Sequence, residues 1–284
     1  MEHQEGSFKG IRDASIYYQT WLPDDDAKAV LIVVHGLAEH SGRYMNLVNH
    51  FVPLGYVVYG IDHIGHGKSE GPRVYVERFE DFTNTLGIFH QMVKEWQPGK
   101  PIFLVGHSMG GLIAVIYILE HHYELTGAIL SAPSVQVPDN ISSATIFLGK
   151  IFSTLMPKLG IVTLDAEGVS RDPAVVDAYV NDPLVYRGKT TARLGAELLK
   201  AMQRVSAEAS KITLPILIIQ GGADRLVDPS GAQILHDRVG SKDKTIKVYN
   251  GLYHEAINEP EHDQVLSHVA VWLSAHLSSG AIRG

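Results

Sequence analysis

The sequence predicts an α/β fold: a mostly parallel central sheet with helices on both faces and a helical cap inserted between two strands. Three observations carry this. Short, continuously apolar runs recur along the chain, as strands buried on both faces of a parallel sheet require. Segments with apolar residues at three- and four-residue spacing alternate with them. One interval, 134–209, breaks the alternation with helical patterns and loops but no strand. It is too long to be a plain connection.

The strands follow in order. "SIYYQTWL" (15–22) is β-rich and reads as the first strand. "AVLIVVHG" (29–36), "YVVYGID" (56–62), "PIFLVGHS" (101–108), "GAILSAP" (127–133) and "LPILIIQGG" (214–222) are buried-type runs, and "TIKVYNG" (245–251) closes the series. Helices are predicted at 82–96, 109–122 and 263–277 from their periodicity. The division that results is a core of 1–133 and 210–284, with a cap at 134–209.

Composition narrows the chemistry. A chain of 284 residues, 45% hydrophobic and 19% charged, can bury a large core. The net charge of −7 and scattered Lys and Arg residues argue against nucleic acid as a partner. Without a single cysteine, disulfides, thiol nucleophiles and Cys-based zinc sites are excluded. No H-E-x-x-H or comparable spacing offers a metal site, and no cofactor is called for. The opening "MEHQEGSFKGIRDASIYYQTW" lacks a basic start and an apolar run, so a cytoplasmic protein is expected. In "GIDHIGHGKSEG", Gly67-Lys68-Ser69 ends like a phosphate-binding loop. Asp62 stands where the first glycine of that motif is required, so a nucleotide site is rejected.

Gly106-His107-Ser108-Met109-Gly110 fits G-x-S-x-G, with an apolar strand before it and a helix after it. That is the setting of a nucleophile elbow, in which the serine sits on a tight strand-to-helix turn. A serine hydroxyl needs a base, and the base needs an orienting carboxylate. The chain order expected is serine, then acid, then histidine. Asp224 follows one buried strand at once, and His254 lies in the short loop after the next. Asp228 shares the loop of Asp224 but lies further from the strand end. Among the fifteen histidines, His107 sits beside the turn, and His262, His268 and His276 fall in or beside the last helix. Acyl transfer also needs two N–H donors for an oxyanion. Met109, after the serine, is one; Leu37, in the loop of His35-Gly36-Leu37, is the other.

Together "HGLAEHSGRY", "DHIGHGKSEG", "GHSMGG", "YVNDPLVY", "GGADRLVDP" and "YHEAINE" resemble the monoacylglycerol lipases of the α/β-hydrolase superfamily, from about Trp21 to Leu277. The resemblance implies Ser108 as nucleophile, Asp224 as acid, His254 as base, and Leu37 and Met109 as oxyanion donors. It implies a mobile cap over an acyl-chain channel, with Tyr179 helping to form a polar pocket for the glycerol alcohol. Glu39 and Arg43 match charged residues near that pocket; a structural ion pair is the alternative reading. Val227 stands where animal members carry a cysteine, so thiol-directed inhibition should not carry over. The reaction implied is cleavage of a monoacylglycerol or similar lipid ester. A lysophospholipase, a general carboxylesterase and a non-catalytic ligand-binding relative are the alternatives.

"SSATIFLGKIFSTLMPKLGI" (142–161) lies inside the cap. Lys150, Ser153, Thr154 and Lys158 interrupt it, so it falls short of the roughly 18 apolar residues of a membrane span. On a helical wheel Phe147, Leu148, Ile151, Phe152, Leu155 and Leu159 share one arc, opposite Lys150 and Ser153. It is expected to overhang Ser108, with Ile151 and Leu155 lining the acyl-chain channel, and to touch membrane transiently as an in-plane element. An ordinary packed helix is the alternative.

Overall fold

The computed structural model describes residues 1–137 and 151–279. Phe147 and Leu148 of the predicted apolar arc, and Lys150 opposite it, lie outside the described residues.

The elements of the main sheet are β1 (Glu2–Lys9), β2 (Ser15–Leu22), β3 (Ala29–Val34), β4 (Tyr56–Ile61), β5 (Ile102–His107), β6 (Gly127–Ser131), β9 (Ile216–Gly221) and β10 (Lys244–Tyr249). Two short strands, β7 (Gly160–Val162) and β8 (Thr190–Thr191), pair with each other elsewhere. The eight strands run in the order β1-β2-β4-β3-β5-β6-β9-β10. β1 and β2 are antiparallel to their neighbours, and the remaining pairs are parallel.

The apolar runs have a simple cause. Every residue of β3, β4, β5, β6 and β9 is buried. Val30, Ile32 and Val34 face one side of the sheet, towards the core built with α2 (Glu80–Trp96) and α3 (Met109–His121). Ala29, Leu31 and Val33 face the other, towards α1 (Met45–Phe51) and the C-terminal helix α7 (His262–Ser279). Successive strand residues point to opposite faces, so two covered faces demand an unbroken apolar run. α3 lies between the sheet and other helices, which is why Met109 to Ile118 are all buried.

Several elements were not foreseen, α1 and the helix Ser230–Arg238 among them. β1 was not foreseen, because "EHQEGSFK" is largely exposed and carries no apolar alternation to betray it. Its pairing comes from β2, with Glu2 opposite Leu22 and Phe8 opposite Ile16. The interval 134–209 was expected to be strand-free, yet it holds β7 and β8; two or three residues are too few to show a period.

Within that interval α4 (Pro173–Asn181) starts on an Asp172 cap, with Pro173 at its first position. α5 (Ala192–Glu208) starts on a Thr191 cap. Leu194, Ala201, Met202 and Val205 of α5 join the main core with α3. By packing, therefore, α5 belongs with the main core, although the expected cap included it. α6 (Ser230–Arg238) follows β9.

Phe89 on α2 is fully buried, with ring contacts to Phe8, Tyr18, Tyr59 and Trp96 between 5.4 and 6.2 Å. This cluster pins the β1–β2 hairpin and β4 to α2. Phe89→Ala is expected to cost about 3–5 kcal/mol, read as a fall in the urea midpoint of unfolding.

Candidate active site

Ser108 stands between the last residue of β5 and the first of α3. Its φ is +53°, a left-handed conformation that a residue with a side chain adopts at a cost. Ser108 N–H donates to Ser131 O at 2.9 Å, and its carbonyl accepts from Leu112 and Ser134 N–H, each at 3.1 Å. The flanking glycines are sterically required. A Cβ on Gly110 would lie 1.9 Å from Val34 O, and one on Gly106 would lie 2.7 Å from Gly110 O. The G-x-S-x-G spacing is thus a packing condition: the first turn of α3 presses against the end of β3.

The His254 Nδ1–Asp224 Oδ2 distance is 2.8 Å. The Asp224 side chain is fully covered. Its Oδ1 accepts from Leu226 N–H at 2.8 Å and Val227 N–H at 3.1 Å, and its Oδ2 accepts from Gln220 Nε2 at 2.9 Å. Burial pushes the Asp224 carboxyl upward. The hydrogen bonds from His254 and the Val227 and Leu226 amides outweigh burial and hold it below its ordinary value. Asp228 is occupied otherwise: its Oδ1 accepts from Ser230 N–H at 2.9 Å at the start of α6. His107 packs its ring 4.7 Å from that of His254. Burial, and then His254, push its pKa down to about 4, so it stays neutral beside the other histidine. His268 meets Tyr249, and His276 meets Asp243.

Ser108, His254, Leu37 and Met109 border one cavity of about 90 Å³. A Cβ on Gly36 would lie 3.3 Å from that of Ser108, which puts the turn after β3 directly beside the serine. His35 holds this turn. Its Nε2 accepts the His63 N–H at 2.9 Å, so its Nδ1 carries the proton and donates to Gly36 O at 2.7 Å. Burial keeps His35 well below its ordinary value and hence neutral. The Leu37 N–H is on the opposite edge of the same planar peptide as the Gly36 carbonyl, so anchoring one aims the other.

Beneath the turn lies a buried charge network. Glu39 Oε1 accepts from Gly36 N–H at 2.6 Å and Tyr44 OH at 2.8 Å. Arg43 donates to Glu39 at 2.9 Å and, through both terminal nitrogens, to Glu255 at 2.6 and 2.9 Å. Burial pushes Arg43 down and Glu255 up, but each is overcome by the other's charge, so both stay ionised. The Tyr179 ring covers the guanidinium at 4.7 Å. Burial, and then Glu39, raise Tyr179 to about 12.

The segment 160–191 is tied to both loops. Tyr186 N–H donates to Ala38 O at 2.8 Å, His40 Nε2 meets Asp182 at 2.8 Å, and Glu255 N–H donates to Val169 O at 2.8 Å. A second cavity, about 390 Å³, shares Tyr179 and Leu164 with the first and is also bordered by Ala38 and Tyr186.

A family profile described as "Serine aminopeptidase, S33" matches residues 25–261. The chain belongs to this Hydrolase_4 family. It is 39% identical to a monoacylglycerol lipase of Mycolicibacterium smegmatis, over 96% of this chain and 98% of that protein. It is 37% identical to the human monoglyceride lipase, over 91% of this chain and 86% of that one. The crystal structure of a monoacylglycerol lipase from Paleococcus ferrophilus superposes with a TM-score of 0.81 at 30% identity, over 97% of this chain and all of that one. A carboxyl esterase from Bacillus coagulans shares the fold, with a TM-score of 0.84 at 23% identity over 98% and 99% of the two chains. Hydrolase_4 membership accords with the α/β-hydrolase architecture of a mostly parallel sheet flanked by helices.

The residues singled out from sequence divide into three groups. Ser108, His254, Leu37, Met109, Glu39 and Tyr179 border the smaller cavity, with Asp224 behind His254. Arg43 does not border it; it sits behind Glu39 and Glu255 in the ion network. Ile151 and Leu155 are away from it, 38% and 74% exposed on the outer surface of the cap. The predicted wheel is inverted here: Ser153 is buried, while Ile151, Phe152 and Leu155 face outward. Periodicity identified the apolar side of the segment but could not tell which way it faces. Glu255 and Gln220 were missed. Glu255 immediately follows His254, and that adjacency was the one available signal.

Gly110→Ala is expected to yield protein that fails to accumulate folded or has lost Ser108 reactivity, because the obstruction is backbone; fluorophosphonate labelling beside circular dichroism checks this. For Asp224, the folded-state pKa is depressed from 3.8. Its stabilising contribution is complete above that ordinary value and is lost as pH falls through the depressed one. Asp224→Asn should therefore flatten the acid limb of the stability–pH profile, measured by urea unfolding between pH 2 and 6, values spanning roughly the carboxylate range.

Proposed function

We propose that this protein is a serine esterase that hydrolyses monoacylglycerols to fatty acid and glycerol through an acyl-enzyme. The observation that carries the reading is the 2.8 Å Asp224–His254 contact beside a serine held at a φ of +53°. Asp224 fixes the His254 tautomer, with Nδ1 protonated and Nε2 free to take the Ser108 proton. Ser108 Oγ attacks the ester carbonyl, and the Leu37 and Met109 N–H groups receive the oxyanion. His254 returns the proton to the departing glycerol oxygen. Water, deprotonated by the same histidine, then releases the fatty acid.

Two observations favour a glyceryl ester among the ester classes. Curated relatives bearing the names monoacylglycerol lipase and monoglyceride lipase match nearly end to end. The cavity beside Ser108 is bordered by two carboxylates, Glu39 and Glu255, and, among the described residues, by no lysine or arginine. That lining suits a neutral polyol and opposes the phosphate of a lysophospholipid.

The cap reading shifts with the structure. Ile151, Phe152, Leu155, Met156, Ile161 and Val162, all within residues 151–162, are each exposed. A patch of this kind suits transient contact with the lipid surface from which a water-insoluble substrate is drawn. No helix among the described residues is long and apolar enough to cross a membrane.

Ser108→Ala should lower turnover on the order of 10⁶-fold while the fold survives. Activity near that of the wild type would overturn the assignment. A panel of monoacylglycerols, lysophospholipids and p-nitrophenyl esters of matched chain length should show the highest kcat/KM for the glyceryl esters. Leu155→Asp should reduce hydrolysis of long-chain monoacylglycerol in vesicles by about 10-fold or more, and alter a short soluble ester by less than about 2-fold. Equal losses on both would remove the lipid-surface role.

A further inference from the structure

The oxyanion turn and the base loop come from distant parts of the sheet. The turn with Leu37 follows β3, and the loop with His254 follows β10. Three strands, β5, β6 and β9, lie between them. At about 4.8 Å per strand the two strand axes are roughly 19 Å apart. Both loops must nonetheless deliver their groups to one carbonyl with sub-ångström tolerance. The ladder of the sheet does not set loop geometry that finely, so something else must.

Arg43 spans the gap. Its Nη1 donates to Glu39 Oε2 at 2.9 Å, and its Nη1 and Nη2 grip Glu255 as a fork at 2.6 and 2.9 Å. Glu39 turns its other oxygen to Gly36 N–H at 2.6 Å, the residue before Leu37. Glu255 is the residue after His254, and its Oε2 also accepts from Asn258 at 2.9 Å. An unbroken line of charge-assisted contacts thus runs Gly36, Glu39, Arg43, Glu255, and the next residue back along the chain from Glu255 is His254. The side chains of Arg43, Glu39 and Glu255 are 8%, 5% and 5% exposed. Water therefore neither screens the line nor substitutes for a missing member. The fork matters because two parallel bonds fix the orientation of Glu255 as well as its distance.

We infer that Arg43 is a positioning residue: its guanidinium cross-links the turn that aims the Leu37 N–H to the loop that carries His254. This rests on the proposed roles of Leu37 and His254. Arg43 does not border the cavity, so it acts through its two carboxylate partners and not on the substrate.

The test uses Arg43→Lys, which keeps the charge and loses the fork. Two substrates carry the same short acyl chain, one a glyceryl ester and one a p-nitrophenyl ester. Active sites are counted by fluorophosphonate labelling of Ser108, so that unfolded protein is not counted. The expected result is a fall in kcat on the order of 10- to 100-fold for both esters, with KM changed by less than about 3-fold. Should the Lys variant fold poorly, a triple variant (Arg43→Met, Glu39→Gln, Glu255→Gln) removes the charges while keeping the volume. It should unfold at a temperature close to the wild type yet show the same kcat loss. Wild-type kcat per labelled site in either folded variant overturns the inference. So does a rise in KM confined to the glyceryl ester, which would mean that Arg43 touches the alcohol. Ser108→Ala is run in the same assays: if it retains turnover, the esterase reading fails, whatever Arg43 does.

Discussion

Gly110 sits so close to the carbonyl oxygens of Val34 and His35 that one added methyl group would collide with both. This contact presses the first turn of α3 onto the end of β3, and the geometry of the site depends on it. It places Ser108 at the helix N-terminus, where partial positive charge favours a developing anion. It brings the turn after β3 to the side of the serine, so that Leu37 and Met109 face one cavity from two elements. The strain at Ser108 is sustained by the close packing around it: Ser131 and Ser134 hold its backbone on one side, and Gly106 admits α3 on the other.

Around that contact the site is built from buried polar groups held by specific partners. His35 is locked neutral between the His63 amide and the Gly36 carbonyl. Asp224 is surrounded by donors and stays ionised despite its burial. Arg43 holds two carboxylates that would otherwise repel each other in a dry interior. An interior of low dielectric makes each of these contacts costly to leave half made, and the same property makes the geometry rigid. The cap adds a different kind of restraint. Backbone bonds from Tyr186 and Glu255 hold it over the cavity, while its outermost apolar side chains remain uncovered.

The parts legible in the sequence were those that follow from local rules. Continuous apolar runs marked β3 to β6 and β9 because both sheet faces are covered. G-x-S-x-G between a strand and a helix marked the turn because only glycine fits at 106 and 110. Strand ends marked Asp224 and His254. What escaped depended on distant partners. β1 is a strand because β2 pairs with it, not because of its own residues. α5 lay within the predicted cap, yet its apolar face packs on α3. Ile151 and Leu155 were placed on the correct side of a helix but assigned to the wrong surroundings.

The sequence by itself determined the layers of the fold, the serine turn and the chain order Ser108, Asp224, His254 of the proposed triad. These are set by side-chain period and backbone sterics, which act over a few residues. Only the tertiary structure decided that Arg43 pairs with carboxylates on two loops instead of facing the cavity, that Asp224 and not Asp228 meets His254, and that Ile151, Phe152 and Leu155 face outward. The first turns on groups that meet across 212 residues of chain and the second on groups 30 residues apart, where burial and pairing set the energy and local pattern carries little information.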